Sequence, residues 1–139
     1  EDVALVMIGG RVGASDPTNA DYLARVEERI RRLGLEERVV WTDYLPDEEV
    51  SAAFRACDVC VLPYRDGVST RRGTLMAALA HGMPMLTPAN RPDEIAAAVR
   101  RLAGDADLRR RLSAGAEALA AGFTWPAIAE ATARFYAKL

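Results

Sequence analysis

The chain has 139 residues, of which 50% are hydrophobic and 27% charged, and its formal net charge is −2. This length suits one globular domain with its own core. The slight acidity argues against a protein that binds nucleic acid or an acidic membrane surface, because such proteins usually carry a basic excess. The apolar runs are too short to cross a bilayer. Because the sequence begins with Glu1 and enters a strand at once, we expect a piece of a longer protein.

Strands and helices are predicted to alternate over the first 87 residues. Apolar runs predict strands at 3–9, 38–42, 58–63 and 83–87. The first run, closed by Gly9 and Gly10, is typical of a strand that is covered on both faces. Apolar residues at helical spacing predict helices over 22–33, 46–57 and about 71–81. Gly34 is placed to end the first of these helices.

The remainder of the chain is predicted to be helical, over 92–103, 105–121 and 125–138, with Asp105 and Thr124 as N-caps. Alternating strands and helices indicate an α/β fold. We therefore expect a Rossmann-like parallel sheet of about four strands, with helices on both faces and a helical C-terminal region. Two long loops, 10–17 and 64–70, follow strand ends. Open α/β sheets bind their ligands at the carboxyl ends of strands.

The second loop and the helix after it combine groups that suit an anion. In the segment PYRDGVSTRRGTLMAALAHGMP, Ser69 or Thr70 could cap the helix, and Gly73 would let a ligand approach the backbone. Arg71 and Arg72 could bind phosphate oxygens in a bidentate manner. From spacing alone, a capped helix with solvated arginines is about equally good an interpretation. The segment is neither a P-loop nor a G-x-G-x-x-G motif.

Several other conspicuous residues have a structural interpretation. Cys57 and Cys60 form a C-x-x-C at the start of a strand rather than of a helix, which favours buried structural thiols in a reducing cytoplasm. His81 at a helix end is expected to interact with the helix dipole rather than to act as a general base. Trp41 and Trp125 are expected to be packing residues.

Two segments carry a family resemblance, ERVVWTDYLPDEEVSAAFRACDVCVLPYRDGVSTRRGTLMAALAHGMPMLT and the terminal FTWPAIAEATARFY. They resemble the C-terminal, donor-binding domain of GT-B fold glycosyltransferases in the glycosyl transferases group 1 family. That family includes glycogen synthase and bacterial mannosyltransferases. The resemblance implies one nucleotide-sugar-binding domain over residues 1–139. It also implies a retaining sugar transfer, with no metal ion and no cofactor beyond the nucleotide-diphosphate sugar substrate.

The resemblance also implies roles for particular residues. The base would lie near the backbone of the turn that follows the second strand, the donor sugar would face the loop at 66–67, and the diphosphate would lie at the helix start. The implied donor-binding residues are Tyr44, Leu45, Asp66, Gly67, Ser69, Thr70, Arg71, Arg72 and Gly73. No catalytic residue is assigned, because the acceptor would bind to a separate N-terminal domain.

The chain departs from the family pattern in two places. Ser69 and Ala77 stand where many members carry two glutamates, one for the sugar and one for the ribose. An earlier strand, a basic segment that clamps pyrophosphate, and a loop with a short strand near Pro88–Pro92 also have no counterpart. If the remaining strands close up, their order would be 2-1-3-4.

The sequence therefore predicts the donor-binding half of a glycosyltransferase that is inactive alone, and it leaves open whether this chain by itself is an enzyme. The alternative is a trimmed or designed α/β domain with a vestigial site, acting as a structural or dimerisation module. A receiver-like domain is disfavoured because Gly9 and Gly10 stand where an acidic pair is needed. Expected partners are a nucleotide sugar, the missing acceptor domain and a second copy, with no nucleic acid. The expected location is the cytoplasm, with the inner membrane face as an alternative for the parent.

Overall fold

The computed structural model describes residues 3–11, 17–64, 67–87 and 91–138. The chain divides into two compact units, Glu1–Ala53 and Phe54–Leu139. The predicted loops at 10–17 and 64–70 and the residues around Pro88 fall partly outside the described residues.

The first unit is built on a pair of parallel strands. Met7 of one strand lies opposite Trp41 of the other, so both strands end at the same edge of the sheet. A Schellman motif ends the long helix between them: the Gly34 N–H donates to the Arg31 carbonyl and the Leu35 N–H to the Ile30 carbonyl. The elements are β1 (Leu5–Met7), α1 (Pro17–Arg32), a 3-10 helix (Glu36–Arg38), β2 (Val39–Trp41) and α2 (Asp47–Ala56), which continues into the second unit.

The second unit contains a further pair of parallel strands, with Cys60 opposite Met85. The Asp105 carboxylate caps α5 by accepting from the Leu108 N–H at 2.8 Å. The Thr124 hydroxyl caps α6 by accepting from the Ala127 N–H at 3.4 Å. Both predicted N-caps are thus confirmed. The elements are β3 (Cys60–Val61), α3 (Gly73–Ala80), β4 (Met85–Leu86), α4 (Pro92–Gly104), α5 (Ala106–Ala120), a 3-10 helix (Ala121–Phe123) and α6 (Trp125–Tyr136).

The predicted α/β fold with parallel strands is confirmed, and all the predicted helices and strands are present, although the strands are shorter. Hydrogen bonds join the described strands into two two-stranded sheets, β1–β2 and β3–β4. Two neighbour pairs of the predicted order 2-1-3-4 are thereby confirmed. The remaining pair, β1 beside β3, would join the two units and stays a prediction.

The core of the second unit lies between α3 and α5. Leu75, Leu79 and Ala116 are buried together, and the partly buried Leu62, directly after β3, and Met85 of β4 pack against them. Small residues on α3 allow this close packing, since Ala78 is 0% exposed. The strand ends and the start of α3 are thus fixed by a common apolar cluster.

Two packing predictions are wrong. β1 was expected to be covered on both faces, yet Leu5 is 48% and Met7 38% exposed. Trp125 was expected to pack but is 83% exposed, and all but one of the other residues of α6 are exposed as well.

Within the described residues no helix has the length and apolar character needed to span a bilayer.

Gly82 ends α3 and lies close against the Glu117 side chain. It adopts φ +59, its N–H and that of Met83 donate to the Leu79 and Ala78 carbonyls, and a Cβ there would lie 2.7 Å from an oxygen of Glu117. We expect Gly82→Ala to lower the free energy of unfolding by about 1–2 kcal/mol, because left-handed backbone strains residues with a Cβ. Urea denaturation would measure it.

The matched control is Gly115→Ala, within α5. A Cβ at Gly115 meets nothing within 4 Å. Alanine there should raise stability by up to about 1 kcal/mol, because glycine is a poor helix former. Equal effects of the two substitutions would contradict the assigned role of Gly82.

Candidate functional site

The start of α3 is where most of the predicted binding residues lie. Gly67 and residues 69–73 belong to the second unit, whereas Tyr44 and Leu45 belong to the first. Asp66 lies outside the described residues. The residues predicted to bind the diphosphate therefore lie together at the start of α3. The predicted base-binding turn is described within its own unit.

Helix α3 begins without a side-chain cap. Its N-cap residue is Arg72, which has an extended backbone and makes no capping hydrogen bond through its side chain. The Arg72 carbonyl accepts from the N–H groups of Leu75 and Met76, at 3.1 and 3.2 Å. The first N–H groups of a helix have no acceptor within the helix itself. The entrance to α3 therefore offers backbone donors and the positive end of the helix dipole.

The prediction that Ser69 or Thr70 caps this helix is wrong. Ser69 instead forms the preceding turn: its carbonyl accepts from the Arg72 N–H at 3.1 Å, and its hydroxyl accepts from the Arg71 N–H at 3.3 Å. Ser69 lies three residues before the N-cap, Arg72, so its hydroxyl bonds within the turn rather than to the helix. Thr70 and Arg71 are exposed beside it.

Gly73, the first residue of α3, is exposed and has open space around it. No atom lies within 4 Å of the position that a Cβ would occupy, and its backbone is not left-handed. Neither packing nor backbone conformation within the described residues therefore requires glycine here. Close approach of a ligand to the backbone would explain why glycine stands at this position.

Arg72 is oriented by two residues that the sequence analysis did not single out. Its guanidinium carbon lies 4.1 Å from the centre of the Tyr64 ring, a cation–π contact. The Tyr64 hydroxyl lies 2.6 Å from the Thr74 hydroxyl. The available signal was positional: Tyr64 directly follows the strand-ending Pro63, and Thr74 lies in the first helical turn.

The loop between β3 and α3 needs glycine at Gly67. This residue adopts φ +87, a left-handed conformation that side chains disfavour, and it is half-buried. Its predicted place in a loop facing the donor sugar stays a prediction.

In the first unit, the turn after β2 is held by hydrogen bonds to the end of β1. The Thr42 N–H donates to the Met7 carbonyl and the Gly9 N–H to the Thr42 hydroxyl, both at 3.1 Å. Asp43 has φ 52, unusual for a residue other than glycine. Tyr44 follows at 86% exposure. The turn therefore presents Tyr44 to solvent from a fixed backbone.

Arg11 braces this turn and was also missed in the sequence. Its guanidinium donates to the Asp43 carboxylate at 3.0 Å and pairs with Glu27 at 3.2 Å. It also lies 5.3 Å from the centre of the Trp41 ring. Nothing in its local sequence predicts these contacts, because they join positions 16 to 32 residues apart. Trp41 is half-buried, beneath Arg11.

The two cysteines lack the features of a reactive pair. Both are free and half-buried. Burial raises the pKa of the Cys57 thiol, with a further contribution from Asp58, and burial together with Cys57 raises the pKa of Cys60. Reactive thiols need a lowered pKa. In the described ranges no group of three or more His, Cys, Asp and Glu side chains is placed to hold a metal ion.

His81 stands at the C-cap of α3, as predicted for a helix-dipole contact. Its Nδ1 lies 2.7 Å from the Ala77 carbonyl oxygen, and its ring stacks on Phe54 with centroids 4.9 Å apart. The start of α3 at Gly73 is eight residues earlier, so His81 and the candidate site are at opposite ends of the helix.

Comparisons with known proteins agree on one family. The profile of the family described as glycosyl transferases group 1 matches residues 1–105. The chain is 30% identical to a D-inositol 3-phosphate glycosyltransferase of Corynebacterium jeikeium over 100% of its own length and 36% of that protein. It is 31% identical to the protein of the same name from Corynebacterium diphtheriae, over 93% and 33% of the two lengths.

A solved structure supports the fold. Anabaena HepE, crystallised in complex with UDP, superposes with a TM-score of 0.82 at 20% identity, covering 99% of this chain and 41% of HepE. The chain spans about a third of the length of the curated relatives. The alignment with the first relative is 156 residues long, so that relative carries residues with no counterpart among these 139. The chain belongs to the glycosyl transferases group 1 family and has the α/β fold of part of a GT-B glycosyltransferase.

Proposed function

We propose that this chain binds the nucleotide-diphosphate sugar donor of a retaining glycosyltransferase. The observation that carries the proposal is the uncapped, exposed start of α3 beside Arg71 and Arg72. A diphosphate would complete the first helical turn, because its oxygens accept from unpartnered N–H groups and interact favourably with the helix dipole. The arginines add charge-assisted hydrogen bonds to the same oxygens.

The remaining donor-binding roles follow from the family resemblance. The turn at Tyr44 and Leu45 binds the base through its backbone, and the loop at Asp66 and Gly67 faces the sugar. Ser69 stands where many members have a glutamate, so a hydroxyl in place of a carboxylate would contact the sugar there.

Transfer itself requires the part of the protein that binds the acceptor. The chain spans about a third of its curated relatives, and we propose that the rest of the parent supplies acceptor binding. The isolated chain should accordingly bind donor and transfer no sugar. During transfer the start of α3 would stabilise the negative charge of the leaving diphosphate, which is electrostatic stabilisation of the transition state.

Isothermal titration with UDP, GDP, ADP and uridine tests the proposal. We expect one of the diphosphates to bind with saturable heat at millimolar concentration or below, and uridine to bind much more weakly. UDP is the first to try, because it is bound in the Anabaena structure. The absence of binding by all three diphosphates at millimolar concentration would contradict the proposal.

Gly73→Ala separates ligand binding from folding. Because no atom lies within 4 Å of the new Cβ, the fold should tolerate the change, and unfolding stability should hold or rise by up to about 1 kcal/mol. We expect affinity for the diphosphate to fall about tenfold, since the methyl group stands where the ligand meets the backbone. Gly115→Ala is the matched control; unchanged affinity in Gly73→Ala would place the ligand elsewhere.

A structural or dimerisation module remains the second candidate, and one observation favours it. On α6, Trp125 is 83%, Phe135 63% and Tyr136 67% exposed. An apolar surface of this kind commonly marks a contact with another protein surface. The nucleotide titrations discriminate, because this candidate requires no diphosphate binding.

A further inference from the structure

We propose that Tyr64 is a positioning residue that holds Arg72 for the diphosphate and thereby sets the preference of the site for two phosphates over one. The inference rests on the proposed function. It assigns the preference for a diphosphate over a monophosphate to a residue outside the implied donor-binding set.

Tyr64 is fixed from its backbone side. Its N–H donates to the Leu62 carbonyl at 2.8 Å, which closes a tight turn around Pro63 directly after β3. The Leu62 N–H in turn donates to the Leu86 carbonyl at 2.9 Å, so the turn continues the β3–β4 ladder. The tyrosine ring therefore projects from a rigid strand end rather than from the loop that follows.

Tyr64 is also fixed at its far end. Its hydroxyl lies 2.6 Å from the Thr74 hydroxyl, within the first turn of α3. The same ring lies under the guanidinium of Arg72, at 4.1 Å. One side chain thus connects the end of β3, the entrance of α3 and the cation beside that entrance.

The cation–π contact suits anion binding. A guanidinium that lies over an aromatic ring uses its face, and its N–H donors lie at its edge; because the Nε of Arg72 is buried, a ligand would meet its terminal nitrogens. Phosphate oxygens are bound by that edge. The contact also restricts a side chain that otherwise has many rotamers, so less entropy is lost when a ligand binds.

The consequence is specific to the second phosphate. A nucleoside monophosphate can bind to the helix entrance alone, whereas a diphosphate can also contact the edge of Arg72. Loss of the Tyr64 ring should therefore reduce diphosphate affinity more than monophosphate affinity and leave nucleoside affinity unchanged. A merely structural role would lower all three in proportion.

The test measures dissociation constants of Tyr64→Leu and Tyr64→Phe for whichever of UDP, GDP and ADP binds, for the matching monophosphate and for the nucleoside. We expect Tyr64→Leu to weaken diphosphate binding about fivefold, the size of a partly exposed cation–π contact, with little change for the nucleoside. Tyr64→Phe keeps the ring and should stay within about twofold of the parent. Tyr136→Leu, at a tyrosine 67% exposed on α6, is the matched control.

The outcomes separate the two proposals. If Arg72→Ala weakens diphosphate binding but Tyr64→Leu does not, the role of Tyr64 is overturned and the proposed function stands. If no diphosphate binds the parent chain, both fall. Should Tyr64→Leu fail to fold, Tyr64→Met decides, because it also removes the ring but fills its space with a flexible side chain: a lower ratio of diphosphate to monophosphate affinity supports the inference, and an unchanged ratio overturns it.

Discussion

Arg72→Ala is expected to weaken diphosphate binding by about tenfold or more, because charge-assisted hydrogen bonds contribute about 1.5–3 kcal/mol each. Arg72 stands at the N-cap of α3 with its guanidinium over the Tyr64 ring, so its charge is held beside the exposed helix entrance. The same titration series used for the parent chain measures the change. Raising the salt concentration should weaken the parent more than the variant, since ionic contacts are screened.

The control for this change is Arg100→Ala, an exposed arginine on α4. It removes one positive charge from the same unit and should leave the affinity within about twofold, because an exposed charge that makes no direct contact with the ligand is screened. Similar losses in both variants would indicate a general charge effect. That result would contradict a specific contact with Arg72.

Leu79→Ala is expected to have the largest effect on stability, a loss of about 3 kcal/mol in the free energy of unfolding. Leu79 is 3% exposed and belongs to the cluster with Leu75 and Ala116 that fastens α3 to α5. Removing its isobutyl group leaves a cavity that the neighbouring helices can fill only in part. Urea denaturation followed by circular dichroism would measure the loss.

Leu119→Ala is the matched control, because Leu119 is 55% exposed on α5. Its replacement should change the free energy of unfolding by about 0.5 kcal/mol or less. The core assignment would be contradicted if the two leucines proved equally costly to remove. Leu79→Ala should also weaken nucleotide binding, because it loosens the packing that holds α3 in place. It therefore cannot be used to test which residues contact the nucleotide.

Local chemistry made three helix ends predictable. Asp105 and Thr124 cap their helices as expected, and Gly34 ends α1 in a left-handed conformation. In each case the deciding contact lies within five residues along the chain, so short-range patterns suffice. The alternation of apolar strand runs with helical spacing along the chain likewise predicted the α/β fold.

Contacts between residues far apart along the chain could not be predicted from the sequence. β1 is an apolar run with exposed side chains, because burial depends on which elements pack against the faces of a strand and not on the run itself. Arg11 and Asp43 are 32 residues apart, and the Tyr64–Thr74 bond crosses from a strand to a helix. Ser69 was misassigned because the hydroxyl that can cap a helix can equally close the preceding turn.

The most direct test is an amide-resolved NMR titration of the whole chain with UDP and, separately, with uridine. If the start of α3 binds the diphosphate, the N–H resonances of Gly73 and Thr74 should move strongly with UDP and barely with uridine. Saturable UDP binding that leaves both resonances in place would contradict this, as would shifts of the same size with uridine.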